Sequence, residues 1–404
     1  MNTSSTPSKI KVNVVTGQGG GGHYATYHAL RAVAEQWQLP WEFSVTDMDE
    51  IITKLANQNQ IQNAYEMFGF SGHDLYNLML KSNLTWLWPL KMRLNKFMVK
   101  LNYDVGVKFF EQHWREQQPD IVVSVMPLYN KGLAASLQKV KPGTPYITLM
   151  VDFADYPPAF WLEPDADCLN VCATEKAIAQ ARSLGIKPER IFKSSGMVVH
   201  PRFYQSIESD RQQARVDLGL DPECLTGIVM FGGHGSGVML EIARKLESFG
   251  DRLQLIYLCG RNEQLAEAIR NSPGSQRRFV TSFTQDVPFY MYLSDFLIGK
   301  PGPGTMSEAL VMNLPVITEC NGSTLIHERY NAQWLEEQQV GVVLPNFRQI
   351  DRAVEQFLNP ETFAPYRANA KAIDNQAVFE VSQLLTQIVA QINPTKTTVV
   401  NQGS

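Results

Sequence analysis

Little in this sequence points to chemistry that depends on sulfur, a structural metal or bulk charge. Only five of 404 residues are cysteine: Cys168, Cys172, Cys224, Cys259 and Cys320. The number is odd and no two stand at C-x-x-C spacing, so neither a disulfide framework nor a zinc site is indicated, and a reducing setting fits. An excess of one charge is also missing. Lys+Arg 36 against Asp+Glu 40 leaves a formal charge of -4, which excludes a chain held to nucleic acid by its overall charge. No apolar run approaches the roughly 18 residues that cross a bilayer. The longest, LTWLWPLKMRL near residue 90, is interrupted by Pro89, Lys91 and Arg93. The opening MNTSSTPSK is polar, so no secretory signal is expected.

What is present is an ordinary globular balance, 44% hydrophobic and 19% charged, over a length that favours two cores. Short apolar runs alternate with helix-like stretches. One series of strands is expected at 10–17, 41–47, 120–126, 145–153, 168–174 and 190–196. A second is expected at 226–233, 253–260, 277–283, 296–300, 314–320 and 340–344. Helical periodicity covers Tyr24 to Trp37, Val238 to Ser248, Glu263 to Asn271 and Thr305 to Asn313. Apolar strands without strict alternation, each followed by a helix, predict parallel sheets covered on both faces. The fold class is α/β, two Rossmann-like doubly wound domains facing a cleft. Their expected limits are 1–205 and 206–393, the second taking the C-terminal helices, with 394–404 a disordered tail.

Three strand-to-helix turns are rich in glycine. The first, TGQGGGGHYATYHAL, places Gly17, Gly19 and Gly22 in G-x-G-x-x-G spacing, with Asp47 and Asp49 after the next strand. That is formally a dinucleotide fingerprint, but four consecutive glycines satisfy almost any such pattern. His23 opens the helix behind it. The second, FGGHGSGVMLE, carries Gly232, Gly233, Gly235, Ser236 and Gly237. The third, GKPGPGTMSEAL, carries Gly302, Gly304 and Thr305, with Ser307 and Glu308 expected in the first helical turn. Free N–H groups at a helix start form an anion site, worth around 0.3–2 kcal/mol per charge. Two such turns in one half suit a diphosphate. Glu308 then serves either as a helix cap or as a ligand for a ribose diol. No lysine stands in a Walker pattern, so a P-loop NTPase is not expected.

Beyond these turns, IGKPGPGTMSEALVMNLPVITECNGSTLIHERYNAQWL and the N-terminal GGGGH carry a family resemblance. From about Ile10 to Ile392 the chain resembles the glycosyltransferase-B enzymes. That group includes the lipid II-forming N-acetylglucosaminyltransferase, monogalactosyldiacylglycerol synthase and the processive diacylglycerol glucosyltransferase. The resemblance implies transfer of a hexose from a UDP-sugar to a lipid acceptor, diacylglycerol by expectation, with inversion and with no metal cofactor. It implies His23 as catalytic base. Glu308 would hold the ribose, while Gly302, Gly304 and Thr305, with Gly232, Gly233 and Ser236, would hold the diphosphate. Phe283 lies in the segment whose backbone reads uracil. His327, Glu328 and Asn331 would meet the sugar, His327 standing where the family usually carries glutamine. Gly21 and Gly22 belong to the acceptor side. Asp152 and Asp155, after the fourth strand, are candidates to orient His23 or hold the acceptor.

Residues 81–100 contain Lys81, Lys91, Arg93, Lys96 and Lys100 with Trp86, Trp88 and Phe97 among them, and no acidic residue. Such a segment is either a core helix with solvated lysines or a face for anionic lipid, at about 1 kcal/mol per basic residue. In a domain that receives a lipid, the second is expected. The localisation that follows is cytoplasmic, at the periphery of the inner or an internal membrane. A nucleotide-sugar epimerase of the same architecture and an NAD-dependent Rossmann oxidoreductase are the competing readings.

Overall fold

A computed structural model describes residues 9–17, 22–58, 97 and 99–392. The chain divides into two compact units. One comprises Met1–His200 with Gln376–Ser404, the other Pro201–Asn375. All twelve expected strands form, and every strand pairing is parallel.

The first unit contains β1 (Ile10–Thr16), α1 (Gly22–Gln36), β2 (Trp41–Asp47), α2 (Met48–Gln58), α3 (Tyr103–Gln117), β3 (Ile121–Ser124) and α4 (Asn130–Val140). β4 (Tyr146–Leu149), β5 (Leu169–Cys172), α5 (Glu175–Ser183) and β6 (Ile191–Lys193) follow. Its sheet has the order β2-β1-β3-β4-β5-β6. Val14 lies opposite Val45 on one side and Val123 on the other. Val12, Val14, Val122 and Val123 are completely buried, as β-branched residues are when helices cover both faces of a sheet.

The second unit contains α6 (Arg211–Asp217), β7 (Leu225–Met230), α7 (Val238–Leu246), β8 (Leu253–Leu258), α8 (Glu263–Arg270), β9 (Arg278–Thr281) and α9 (Val287–Tyr292). It continues with β10 (Phe296–Gly299), α10 (Pro303–Val311), β11 (Val316–Glu319), α11 (Arg329–Glu337), β12 (Gly341–Leu344), α12 (Ile350–Leu358) and α13 (Pro360–Ala372). The sheet order is β12-β11-β10-β7-β8-β9, with Val229 between Ile298 and Tyr257. Asp295, just before β10, accepts Arg211 and Arg215 at 2.8 and 2.9 Å and the N–H of Thr226 at 2.9 Å. This fastens α6 to the amino end of the sheet.

Two domain limits need correction: the first unit's opening stretch ends at His200, not at residue 205, and the C-terminal end of the second unit falls at Asn375. The final helix, α14 (Ala377–Ile392), belongs to the first unit, not to the second. Its apolar stripe of Val381, Leu385 and Val389, spaced i, i+4, i+8, closes the cluster of Ile10, Val12, Val14 and Leu30. Trp37 stacks on Phe379 beside it, ring centroids 6.0 Å apart. The expected tail at 394–404 lies outside the described residues.

Candidate functional site

In an open parallel sheet, ligands bind beyond the carboxyl ends of the strands where strand order reverses. In the first unit that point is β1, which has β2 on one side and β3 on the other. His23, the second residue of α1, stands there. Its Nδ1 is 2.5 Å from the carbonyl oxygen of Val125, just past β3. A carbonyl only accepts, so Nδ1 carries a hydrogen. Trp161 stacks on the imidazole, ring centroids 6.2 Å apart and planes 26° from parallel.

Asp152 is buried, and its Oδ2 accepts the indole N–H of Trp161 at 2.8 Å. Trp161 therefore touches both Asp152 and His23. Asp155 accepts the backbone N–H groups of Ala159, Phe160 and Trp161 at 2.7, 2.9 and 2.6 Å. Burial pushes its carboxyl up from the usual range, and those hydrogen bonds oppose the push. Asp155 is thus the anchor of the 155–161 loop. Trp161 was not visible as a site residue in the sequence, because its place depends on that loop's hydrogen bonds.

Asp47, the acid a dinucleotide reading would assign to a ribose, is occupied by the protein itself. Its Oδ2 accepts the Tyr24 hydroxyl at 2.6 Å, and its Oδ1 accepts the N–H groups of Asp49 and Glu50 at 2.9 and 3.3 Å. Burial first, then Asp47, raises the Tyr24 hydroxyl to about 12. Gly22 begins α1 with no heavy atom within 4 Å of where a Cβ would stand. Gly19, Gly21, Lys81, Trp86, Trp88, Lys91, Arg93 and Lys96 lie outside the described residues. Phe97, inside the 81–100 segment, and Leu101, just after it, are 60% and 68% exposed.

In the second unit the reversal falls between β7 and β10, and two of the glycine turns flank it. The turn after β7 is tightly built. Gly235 has φ +62°, and a Cβ there would come within 2.6 Å of the Cys259 carbonyl oxygen. Gly233 accepts the N–H of Arg261 at 2.8 Å. Ser236 turns the chain into α7, its hydroxyl accepting the N–H of Val238 and its carbonyl that of Met239. Gly232 has φ +76°, while Gly233 and Gly237 are exposed.

The turn after β10 leads into α10 with Gly302 as N-cap and Pro303 at the first helical position. Among the described residues no side chain caps α10, and its first turn has no acidic residue. The positive helix end is therefore not neutralised from within. Ser307 and Glu308 lie in the second turn, one turn deeper than expected, so Glu308 is too far along the helix to cap it. The Glu308 carboxyl is pushed up to about 7, by burial chiefly, with Arg202 pulling it down. A carboxylate kept short of water gains most from a ligand that offers hydroxyl donors.

Glu328 is buried at the start of α11, with Lys300 Nζ 3.1 Å from its Oε1. His327 beside it is half-buried. Asn331 does not fit the part of a sugar contact: it is completely buried, and its amide nitrogen donates to the Pro301 carbonyl at 2.8 Å. It supports the 300–303 turn from behind. Phe283 is 54% exposed, with the Arg261 guanidinium 5.3 Å from its ring centre. Arg261 and Lys300 place two cations at this edge that the motif reading left out; their neighbouring glycines were the available signal. Burial raises all five thiols above their ordinary range, so none is a thiolate nucleophile near neutral pH. Among the described residues no three His, Cys, Asp or Glu side chains converge as a metal-binding group.

Residues 32–199 match the family model of monogalactosyldiacylglycerol (MGDG) synthase, and residues 228–388 that of the glycosyltransferase family 28 C-terminal domain. The chain is 25% identical over 415 residues to the chloroplastic monogalactosyldiacylglycerol synthase of Spinacia oleracea, covering 97% of this chain and 75% of that one. Acinetobacter baumannii MurG shares its fold with a TM-score of 0.59 at 14% identity, over 94% of this chain and 99% of that one. The UDP-GlcNAc 2-epimerase of Methanocaldococcus jannaschii does so with a TM-score of 0.50 at 12% identity, over 94% and 100%. Transferases and epimerases thus share this architecture, and fold alone does not separate them. The family matches along both halves favour the transferases: the first half is similar to monogalactosyldiacylglycerol synthases and the second to the C-terminal domain of glycosyltransferase family 28.

Proposed function

We propose that the protein transfers a hexose from a UDP-sugar to the free hydroxyl of a diacylglycerol-type lipid, with inversion at the anomeric carbon. The observation that carries the donor half is the uncapped start of α10 beside the β7 turn, with the raised Glu308 carboxyl one turn on. In this reading the N–H groups of Gly304, Thr305 and the 232–237 turn take the diphosphate charge as the bond to the sugar breaks. Oriented amides do this with little reorganisation. The Glu308 carboxylate accepts the ribose hydroxyls. Lys300 and Glu328 meet the sugar side, and the backbone near Phe283 meets the uracil. His23 takes the acceptor proton on Nε2, a contribution of about 10²–10⁴-fold for a well-placed base.

Charge stabilisation by amides and helix ends needs no metal, so turnover is expected to survive a chelator; loss restored only by a divalent cation would refute that. The lipid acceptor implies work at a bilayer surface. No helix among the described residues is long and apolar enough to cross one, so we propose peripheral attachment on the cytoplasmic side through the basic, aromatic 81–100 segment. Neutralising Lys91, Arg93 and Lys96 together should reduce sedimentation with anionic vesicles; equal sedimentation would refute the assignment.

The deciding experiment incubates the full chain with UDP-galactose, UDP-glucose and UDP-N-acetylglucosamine in mixed micelles of diacylglycerol, with mass analysis of the lipid. A hexosyl-diacylglycerol is expected. Release of free or epimerised sugar with unchanged lipid would overturn the reading.

A further inference from the structure

We propose that Trp161 is the positioning residue for His23, holding its ring on Val125 and stabilising the imidazolium formed when the acceptor loses its proton. The proposal rests on His23 acting as the base. It starts from how thoroughly Trp161 is fixed. The residue is 1% exposed. Its backbone N–H donates to Asp155 Oδ1 at 2.6 Å and its indole N–H to Asp152 Oδ2 at 2.8 Å. Asp155 is itself gripped by Gln180, whose Oε1 accepts the Asp155 N–H at 2.9 Å and whose Nε2 donates to its carbonyl at 3.0 Å. The Phe160 carbonyl accepts the N–H of Leu128 at 2.9 Å, tying the same loop to the segment after β3.

A side chain held this way has a fixed orientation, and its ring centre lies 6.2 Å from that of the His23 imidazole with the two planes 26° apart. The π-surface of an indole attracts a cation and is nearly indifferent to a neutral ring. Accepting a hydrogen bond from the indole, Asp152 pushes electron density toward that surface. The contact therefore strengthens as His23 gains charge, which is the requirement for catalysis rather than binding. The step balances in protons and electrons. The acceptor O–H proton moves to Nε2, and the oxygen's electron pair forms the bond to the anomeric carbon. The bond from that carbon to the diphosphate oxygen breaks, its pair leaving with the phosphate. Throughout, Nδ1–H stays on the Val125 carbonyl. A backbone carbonyl fills the place an aspartate has in a hydrolase triad, and Trp161 supplies the stabilisation that a neutral carbonyl supplies less well.

The test titrates His23 in the full-length chain by NMR of labelled imidazoles, the signal being assigned with a His23→Gln variant. Trp161→Leu removes the ring face, while Trp161→Phe keeps a face and removes the indole N–H. The other charged or titratable groups near this end of the sheet, Asp152, Asp155, Asp47, Asp49, Glu50 and Tyr24, are the same in both variants. The leucine variant is expected to weaken proton binding at His23 by about two- to fivefold, the lower range of a cation–π contact, because the ring centres are 6.2 Å apart. The acidic limb of its kcat profile should move to lower pH by the same factor, with UDP affinity unchanged. The phenylalanine variant should fall between, and it carries the test if the leucine variant does not fold. A His23 titration identical to wild type in a folded variant would overturn the proposal. Full turnover in His23→Gln would instead overturn the base assignment, which the titration does not depend on.

Discussion

Alanine at Gly304 should make the second unit more stable and its donor site worse. Gly304 is the second residue of α10 and has ordinary helical geometry. A Cβ placed on it would meet no heavy atom within 4 Å. Nothing in the fold therefore requires glycine here, and glycine in a helix is about 0.5–1 kcal/mol worse than alanine. For a unit of this size the substitution should raise the midpoint of thermal unfolding by about 1–4 °C. The added methyl would occupy the space through which a phosphate oxygen approaches the amides of Gly304 and Thr305. Losing one hydrogen bond to a charged oxygen costs about 1.5–3 kcal/mol, a ten- to hundredfold loss of affinity. The assay pairs scanning calorimetry of the full chain with titration calorimetry of UDP. A stabilised variant that binds UDP as tightly as wild type would show that the start of α10 does not hold the diphosphate. A destabilised variant would show that the space around Gly304 is not free.

The raised Glu308 carboxyl sets a pH dependence. Its folded value near 7 exceeds the ordinary 4.5, so its stabilising effect is complete at low pH and is lost as pH rises through 7. Glu308→Gln should therefore unfold at higher urea than wild type at pH 8, by about 1–2 kcal/mol after allowing for solvent screening, while converging with it below pH 5; a variant weaker at pH 8 would refute this. The same group requires UDP affinity to fall between pH 8 and 6 more steeply in wild type than in Glu308→Gln, where only the terminal phosphate of UDP still titrates, read by titration calorimetry; equal slopes would refute it. Asp295→Ala strands the buried Arg215 guanidinium and should cost about 3–5 kcal/mol in urea unfolding; a cost below 1 would show that the arginines find other partners. Leu385→Ala in α14 should cost about 2–5 kcal/mol, seen as destabilisation of the first unit by hydrogen exchange in β1 and β3. Protection lost in the second unit instead would return α14 to that domain.

The strands were legible because burial on both faces leaves apolar runs such as IVVS and LQLIYL with nothing to interrupt them. The runs were read too long at their carboxyl ends. Residues such as Val125 and Asp152 are still buried there, but they have left the sheet and stand at its carboxyl edge. The glycine turns were legible for a physical reason as well, since close backbone approach demands one residue type. Placing Glu308 in the first turn failed because Pro303 starts α10 two residues earlier than periodicity suggested. Asn331 looked like a sugar contact because polar residues near a motif invite that reading; only its burial against Pro301 shows a supporting role. The assignment of α14 could not come from local pattern. Its stripe fits any apolar cleft, and the choice depends on a sheet whose first strand is more than 300 residues away in sequence.

The two units differ in what does the chemical work, and this explains which half was easier to read. At the donor edge the groups are backbone amides, so the sequence constraint is on glycine and proline and survives in a single chain as a motif. At the acceptor edge the groups are side chains whose positions are set by other side chains: Val125 orients His23, Trp161 covers it, Asp152 and Asp155 fix Trp161, and Gln180 fixes Asp155. No spacing rule links residues 23, 125, 152, 161 and 180, because β3, β4 and a loop bring them together. It follows that substitutions at the donor edge should act mainly on UDP affinity. Those along the Gln180–Asp155–Trp161 chain should leave that affinity alone and change kcat and its pH dependence. Gln180→Ala separates the two cases: it is far from His23 in sequence, touches neither substrate in this reading, and should lower kcat with UDP affinity unaltered.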